Sequence, residues 1–427
     1  MTGQERIYVT GLGAVTALGV GCESLWRALC QGKTVARIRS LTVDLGRTVD
    51  VPVVSMPDAS QVVGLDKHLS FLAEQGCNGC RDLAYSLLAM ELAFAEAGLD
   101  PAESGGATGL VQAFEAPGVE RTVARLFELM TMPPPTDGPP PVYELLAPQF
   151  YHMQPFLFLH LAGKAFSLRG FSTSVHNACS SGAFGIEIAA ELIRSRQLDR
   201  AIVVGGESFD TGVRLEWFRR LGLYAERADA MRPFDAASSG FYVGEGAAAI
   251  LLESEASAHR RTAPVLAEYV SGAFTHQAWK QTIPDVRSAR LASVITSALS
   301  KAKTRISDVD LVVPHGAGTQ LSDGYEAHCL AEAIADGGAN VDVRSAASAV
   351  FKPYVGHMLA ASGLIDTVCA LLAMQRGQVP PLPHPPPTDS RWPLPFASGL
   401  LTRRLDSLLK LSTGFTGHDA ALVFRKA

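Results

Sequence analysis

Four short apolar runs, at residues 201–204, 247–252, 311–313 and 420–424, carry no polar interruption, and segments with helical spacing at 182–196, 286–303 and 358–376 alternate with them. A strand that reads AIVV or AAAILL has no face suited to water, so both faces must be covered, and helices packed on either side of a sheet achieve this. The chain is therefore expected to fold as layered α/β. Residues 7–16, IYVTGLGAVT, add an opening strand with a glycine turn, and residues 82–98, DLAYSLLAMELAFAEAG, add a helix that closes the first unit.

Composition narrows the function classes. With 427 residues, 47% hydrophobic and 19% charged, the chain can bury a large core without disulfide staples. Its 37 basic and 42 acidic residues leave a net charge of −5, with no basic block to follow a phosphate backbone, so nucleic acid is excluded as a partner. No apolar run is expected to reach the roughly 18 residues of a bilayer span, and the start, MTGQERIYVTG, lacks a signal peptide's basic and apolar regions. A cytoplasmic protein without membrane partners is expected. Seven scattered cysteines, at 22, 30, 77, 80, 179, 329 and 369, point to reduced thiols. Cys77 and Cys80 form a C-x-x-C without a second ligand pair, so they read as helix cysteines and no metal is called.

Two weaker signals are set aside. Gly11 and Gly13 form G-x-G, but no third glycine follows at dinucleotide-site spacing and no acidic residue ends a second strand. The run PPPTDGPPP at 133–141 is a loop, since proline lacks the donor a helix or central strand needs. With FYHMQPFLFL after it, at 150–159, it reads either as an insertion carrying an apolar flap or as a surface loop beside a buried helix. A second proline-rich stretch, VPPLPHPPP at 379–387, reads as a connector before the last strands.

The chemistry gathers in HNACSSGAFG at 176–185, where Cys179 precedes a helical stretch. Helix N-terminal amides favour a thiolate, and small neighbours admit a carbonyl, so Cys179 reads as a nucleophile. Such a nucleophile needs partners for protons and charge. Of 11 histidines, His315 after LVV in PHGAGTQLSDGYEAH and His357 in FKPYVGHMLAASG, five residues after Lys352, sit in glycine turns. These segments lie in different parts of the chain, which suggests a site formed between two halves.

On these residues the chain resembles the elongating β-ketoacyl synthases of the thiolase superfamily, the condensing enzymes of type II fatty acid and polyketide synthesis. The matching segments run in order: VTGLGAVTALG at 9–19, NACSSG at 177–182, RPFDAASSGFYVGEGAAAILLE at 232–253, HGAGTQLSDGYEA at 315–327, KPYVGHMLAASG at 352–363 and GFTGHDAALVF at 414–424. The Cys-His-Asn arrangement of initiating synthases is not what the Lys352 and His357 segment resembles.

The resemblance implies a five-layer α-β-α-β-α thiolase-like fold with two similar halves, 1–257 carrying the nucleophile and 258–427 the histidines. It implies that Cys179 takes an acyl chain from a carrier-protein thioester, with the N–H groups of Cys179 and Phe415 as oxyanion hole. His315 and His357 would then stabilise the enolate left when malonyl thioester loses CO₂. No metal or organic cofactor would be required, the substrates riding on the phosphopantetheine of an acyl carrier protein. Lys352 would pair with Glu326, Phe415 beside Gly414 would gate the site, and Thr319 would touch the arm. The partner would be a second copy or a homologue resembling a chain-length factor. Arg219, Arg220 and Arg227, in EWFRRLGLYAER, are the candidates for docking the acidic carrier.

Departures from the family pattern H-G-T-x-T and G-F-G-G-T-N are Ala317, Thr416, His418 and Asp419. They imply altered arm binding and a stiffened or reshaped gate, with His418 either a third imidazole near the site or an outward-facing turn residue. They also keep two alternatives open: acyl transfer without condensation, and a non-catalytic partner of another synthase.

Overall fold

The computed structural model describes residues 5–133, 147, 150–337, 346–386 and 392–427, so the proline-rich run at 133–141 lies, apart from Pro133, outside the described residues. The first half supplies strands β1 (Ile7–Thr16), β2 (Thr108–Gln112), β3 (Ser172–Ser174), β4 (Arg200–Glu207) and β5 (Gly246–Ser254). The second supplies β6 (Ala267–His276), β7 (Leu311–Val313), β8 (Ala347–Ser348), β9 (Ser407–Gly414) and β10 (His418–Arg425). Their order is 3-2-4-5-1 in the first half and 8-7-9-10-6 in the second, so adding five to each strand number converts one into the other. The pairing senses repeat as well. In each half two parallel neighbours are followed by two antiparallel ones, and β1 meets β6 antiparallel where the halves join.

The helices that cover these strands are α1 (Arg81–Glu96), α2 (Pro155–Ala165), α3 (Ser181–Arg194), α4 (Val213–Arg220), α5 (Arg290–Lys301), α6 (Gln320–Asp336) and α7 (Ser362–Arg376). Alternation along the apolar strands assigns each face. In β5, Ala248, Ile250 and Leu252 pack inward on α3 and α7, whereas Ala247, Ala249 and Leu251 pack outward on α1 and α2. In the second half, Val312, Leu409 and Leu411 face α5 and α6. The layers are therefore α1/α2, first-half strands, α3/α7, second-half strands and α5/α6, the five-layer arrangement expected.

The helical stretch Leu359–Arg376 matches a bilayer span in length and mean hydropathy, but Ser362, Asp366 and Thr367 interrupt its apolar residues, so it is not the uninterrupted apolar run of a span. It is the central core helix, enclosed by both sets of strands, which is why it is so apolar. Cys77 and Cys80 lie in the turn between the helix Leu65–Glu74 and α1 rather than within a helix. The segment at 150–159 divides: Leu157 and Phe158 are buried on α2, while Phe150, Tyr151 and Phe156 are exposed.

The G-x-G of β1 is explained by packing. A Cβ on Gly13 would lie 1.9 Å from the Ala89 carbonyl oxygen, and one on Gly11 2.1 Å from that of Ala93, so the two glycines let α1 rest directly on the strand. Gly13→Ala is expected to cost about 1–3 kcal/mol through overpacking, whereas Gly106→Ala, with nothing within 4 Å of its added methyl, should stay close to wild type. Chemical denaturation measures both. Equal stabilities would contradict this account of the motif.

Candidate active site

Cys179 sits in the tight turn Ala178–Ser180 between β3 and α3. Ala178 takes a left-handed φ of 49°, an unfavourable value for a residue with a side chain, and the sharp reversal delivers Cys179 to the N-terminus of α3. The small residues after it are structural. Ser180 Oγ donates to the His418 carbonyl at 2.7 Å, Ser181 Oγ to that of Ala178 at 2.7 Å, and a Cβ on Gly182 would come within 2.7 Å of the Leu364 nitrogen. The S-S-G run thus seats the turn against α7 and the last strand.

The close approach at Gly182 brings the loop before α7 beside the nucleophile. His357 lies in that loop, buried, with its Nδ1 accepting the Leu359 N–H at 3.0 Å and lying 3.1 Å from Ser362 Oγ. A ring whose Nδ1 accepts a backbone N–H carries its proton on Nε2. His315 follows β7 through Pro314, and its ring centroid lies 5.4 Å from that of His357, edge to face. Burial pushes both imidazoles well below their ordinary range, with the Lys352 cation acting in the same direction. They are neutral. Cys179, His315, His357, Ala317, Thr319, Gly414 and Phe415 line one cavity.

The turn bearing His315 is held from below. Glu326 accepts the N–H groups of His315 at 2.5 Å and Gly316 at 2.9 Å, and Lys352 Nζ donates to the His315 carbonyl at 2.5 Å. The expected Lys352–Glu326 pair does not form. Both Glu326 oxygens are occupied by this turn, and Lys352 pairs instead with Asp366 of α7 at 2.5 Å. Asp323 accepts from Gly318 and Phe234 and ties the same turn to the 232–234 segment. The left-handed φ values of Gly316 and Gly318, 56° and 82°, are what this folded-back turn requires.

The expectation of a resting thiolate at Cys179 is reversed. Burial raises the thiol to about 12, and the Glu115 carboxylate adds to the rise. Lys352 and two backbone N–H groups, those of Phe415 and of Cys179 itself, oppose this only in part. Those N–H groups are the pair expected to form an oxyanion hole, and both are directed at the sulfur. The helix terminus is present, but desolvation outweighs it.

Phe415 stands in the turn Phe415–Gly417 between β9 and β10, its ring 6.1 Å from both Trp217 and Phe218 of α4. Gly414 is the point of contact, since a Cβ there would lie 3.0 Å from the Asn177 carbonyl oxygen. Thr416 adopts φ 63°, a strained value for a β-branched residue, and its N–H donates to the Gln281 carbonyl at 2.7 Å. His418 is half-buried rather than fully exposed. It stacks on His276 at 4.6 Å and meets the Asn177 side chain at 3.2 Å, because strand pairing sets it directly opposite His276. Asp419 is buried, accepting from Gln277 at 2.7 Å and Tyr325 at 2.8 Å.

The three arginines are exposed, and each has a carboxylate partner. Arg219 and Arg220 both bond Glu216, at 3.0 and 3.1 Å, and Arg227 bonds Asp229 at 2.9 Å. Arg219 and Arg220 follow Phe218, a wall residue of the cavity, whereas Arg227 lies beyond the helix.

Because the resting group is a thiol, carbamidomethylation of Cys179 by iodoacetamide should be slow at pH 7 and rise about tenfold per pH unit through pH 10. Intact mass against time gives the rates. A plateau already reached below pH 8 would show a thiolate and contradict the site's electrostatics.

Residues 4–258 match the model of the β-ketoacyl synthase N-terminal domain, and residues 266–385 that of its C-terminal domain. The chain is 27% identical to the 3-oxoacyl-[acyl-carrier-protein] synthase 2 of Rhizobium meliloti, over 99% of both chains. It is 25% identical to the tetracenomycin polyketide synthase ketoacyl synthase alpha subunit of Streptomyces glaucescens, over 99% of this chain and 97% of that one. Among solved structures, the ishigamide ketosynthase/chain length factor superposes with a TM-score of 0.82 at 23% identity, covering both chains fully. The complex AntDE:AntF, a type II acyl-carrier protein with its ketosynthase bound to the hexaketide, gives 0.82 at 22% over the same coverage.

Proposed function

Because the chain belongs to the β-ketoacyl synthase family, we propose that it catalyses decarboxylative Claisen condensation between a Cys179-bound acyl chain and malonyl-carrier protein, in polyketide or specialised fatty acid synthesis. The observation that carries this reading is the shared cavity of Cys179, His315 and His357, with both imidazoles neutral.

In the first half-reaction the Cys179 thiol attacks the acyl thioester carbonyl. Its proton passes to a neutral imidazole and then to the departing pantetheine sulfur, while the N–H groups of Cys179 and Phe415 receive the oxyanion. In the second, the malonyl thioester enters. The bond from its α-carbon to the carboxylate breaks, CO₂ leaves, and the electron pair becomes an enolate whose oxygen accepts from His357 Nε2–H, with His315 alongside. The α-carbon then attacks the carbonyl of the Cys179 thioester, the C–S bond breaks, and the expelled thiolate takes one proton from solvent, the proton that the overall decarboxylative reaction consumes. A malonyl group loses CO₂ once that charge has donors, so neither a metal nor an organic cofactor enters the scheme.

The carrier is the acyl-carrier protein, and docking uses Arg219, Arg220 and Arg227; the AntDE:AntF complex supports such a partnership. The second subunit is another copy or a homologue resembling a chain-length factor, as the ishigamide pair suggests. Charge reversal at Arg219 and Arg220 should raise the Michaelis constant for acyl-carrier severalfold and leave loading from a small acyl thioester unchanged. Unaltered carrier kinetics would remove these two residues from docking.

Intact mass and CO₂ release, followed with acyl-carrier and malonyl-carrier thioesters, test the reaction. The acyl mass should appear on wild type, be absent from Cys179→Ala, and be followed by chain extension. His357→Ala should slow decarboxylation about 100-fold or more while loading falls less. Malonate-independent passage of the acyl group to another acceptor would contradict condensation.

A further inference from the structure

The buried charges beneath the imidazole pair include one that the scheme above leaves unused. Lys410 lies in β9, whose residues from Ser407 to Thr413 are all buried. Alternation places Lys410 on the same face as Leu408, which packs into the central cluster with α7, while Leu409 and Leu411 face α5 and α6. The lysine therefore projects into the layer between the two sets of strands. An apolar side chain would fill that position without the cost of removing an ammonium group from water.

Its contacts converge on the active-site turn. Lys410 pairs with Val313 in the parallel ladder, which sets it beside the start of Pro314–His315. Its Nζ donates to the Pro314 carbonyl at 3.5 Å and to the Leu411 carbonyl, and it lies 3.3 Å from Asp366 Oδ2. That oxygen also accepts from Lys352, which holds the next carbonyl, that of His315. Two lysines thus share one carboxylate oxygen and grip successive carbonyls, while Glu326 takes the N–H groups of His315 and Gly316.

We propose that Lys410 is a positioning residue for condensation, clamping the Pro314–His315 turn together with Lys352 and adding a second buried cation beneath the imidazole pair. The inference rests on the condensation reading. Charge makes the second role concrete: Lys352 and Lys410 balance Asp366 and Glu326, so without Lys410 the cluster carries a net negative charge facing the enolate oxygen. The groups around Lys410 are Asp366 on α7, Lys352 in the short helix before His357, Glu326 on α6, and the two imidazoles. Burial lowers the Lys410 ammonium to about 8, with Asp366 opposing the fall and Lys352 adding to it. The second cation is therefore present at neutral pH and lost on the alkaline side.

The test compares wild type, Lys410→Met and Lys410→Arg as full-length protein. Malonyl-carrier decarboxylation is followed by CO₂ release from pH 6 to 9.5, with acyl loading of Cys179 measured in parallel. Wild type should show an alkaline limb near pH 8. Lys410→Met should lose about 10- to 100-fold in kcat for decarboxylation, with the Michaelis constant little changed, loading reduced less than about threefold and that limb absent. Lys410→Arg, which keeps the charge, should recover part of the rate and shift the limb upward. A wild-type rate and limb in Lys410→Met would overturn the proposal, as would a wild-type profile flat through pH 9.

Thermal unfolding against pH separates this from a failure of the condensation reading. The unfolded lysine holds its proton to about 10.4 and the folded one releases it near 8. Between those values the unfolded state binds more protons, so wild-type stability should gain a rising contribution that Lys410→Met lacks. If wild type neither loads nor decarboxylates, condensation fails while this difference still marks Lys410 as a buried cation. Identical stability profiles would refute that too.

Discussion

The contact on which the site depends is the approach of α3 to α7 at Gly182. Its missing side chain leaves room for the Leu364 nitrogen, and a Cβ on Gly363 opposite would lie 3.0 Å from the Ala183 nitrogen. The N-terminal ends of two core helices consequently meet between the two sets of strands, one carrying the Cys179 turn and the other following the loop of His357. The five-layer stack supplies the rigidity. The strands β1, β4 and β5 are buried along their whole length between helices, so the helix ends packed on them are held in place.

Burial has opposite consequences for the two kinds of group placed there. It keeps Cys179 protonated and His315 and His357 unprotonated, so the resting site presents a thiol and two neutral imidazoles. Charge is stored one layer deeper, in Lys352, Lys410, Asp366 and Glu326, where it is paired and bonded to backbone. Charge that develops during reaction then appears in a low-dielectric cavity already aimed at by donors, which is where such donors act most strongly.

Much of this was legible in the sequence. Uninterrupted apolar strands dictated coverage on both faces, and the ordered segments around Cys179, His315, Lys352 and His357 identified the residues that the fold gathers. The misreadings share a physical origin: each treated a local feature without the partner that packs on it. The helix terminus at Cys179 suggested a thiolate because desolvation is a property of the surroundings, not of the neighbouring residues. The resemblance implies a Lys352–Glu326 pair, whereas the backbone N–H groups of His315 and Gly316 occupy both Glu326 oxygens. A signal for the true partner did exist. Asp366 is the lone charge in SGLIDTVCALLAM and Lys410 the lone charge in SLLKLS, and single opposite charges in two apolar core segments call for pairing.

The central claim is that the cavity works with neutral imidazoles, His357 presenting Nε2–H to the substrate oxygen. Nitrogen-15 NMR of histidine-labelled protein, with His357→Ala to assign the ring, reads this directly. The expected spectrum shows His357 as the neutral Nε2–H tautomer, unchanged from pH 5.5 to 8.5. Titration of that ring to imidazolium within this range, or a proton found on Nδ1, would contradict the account.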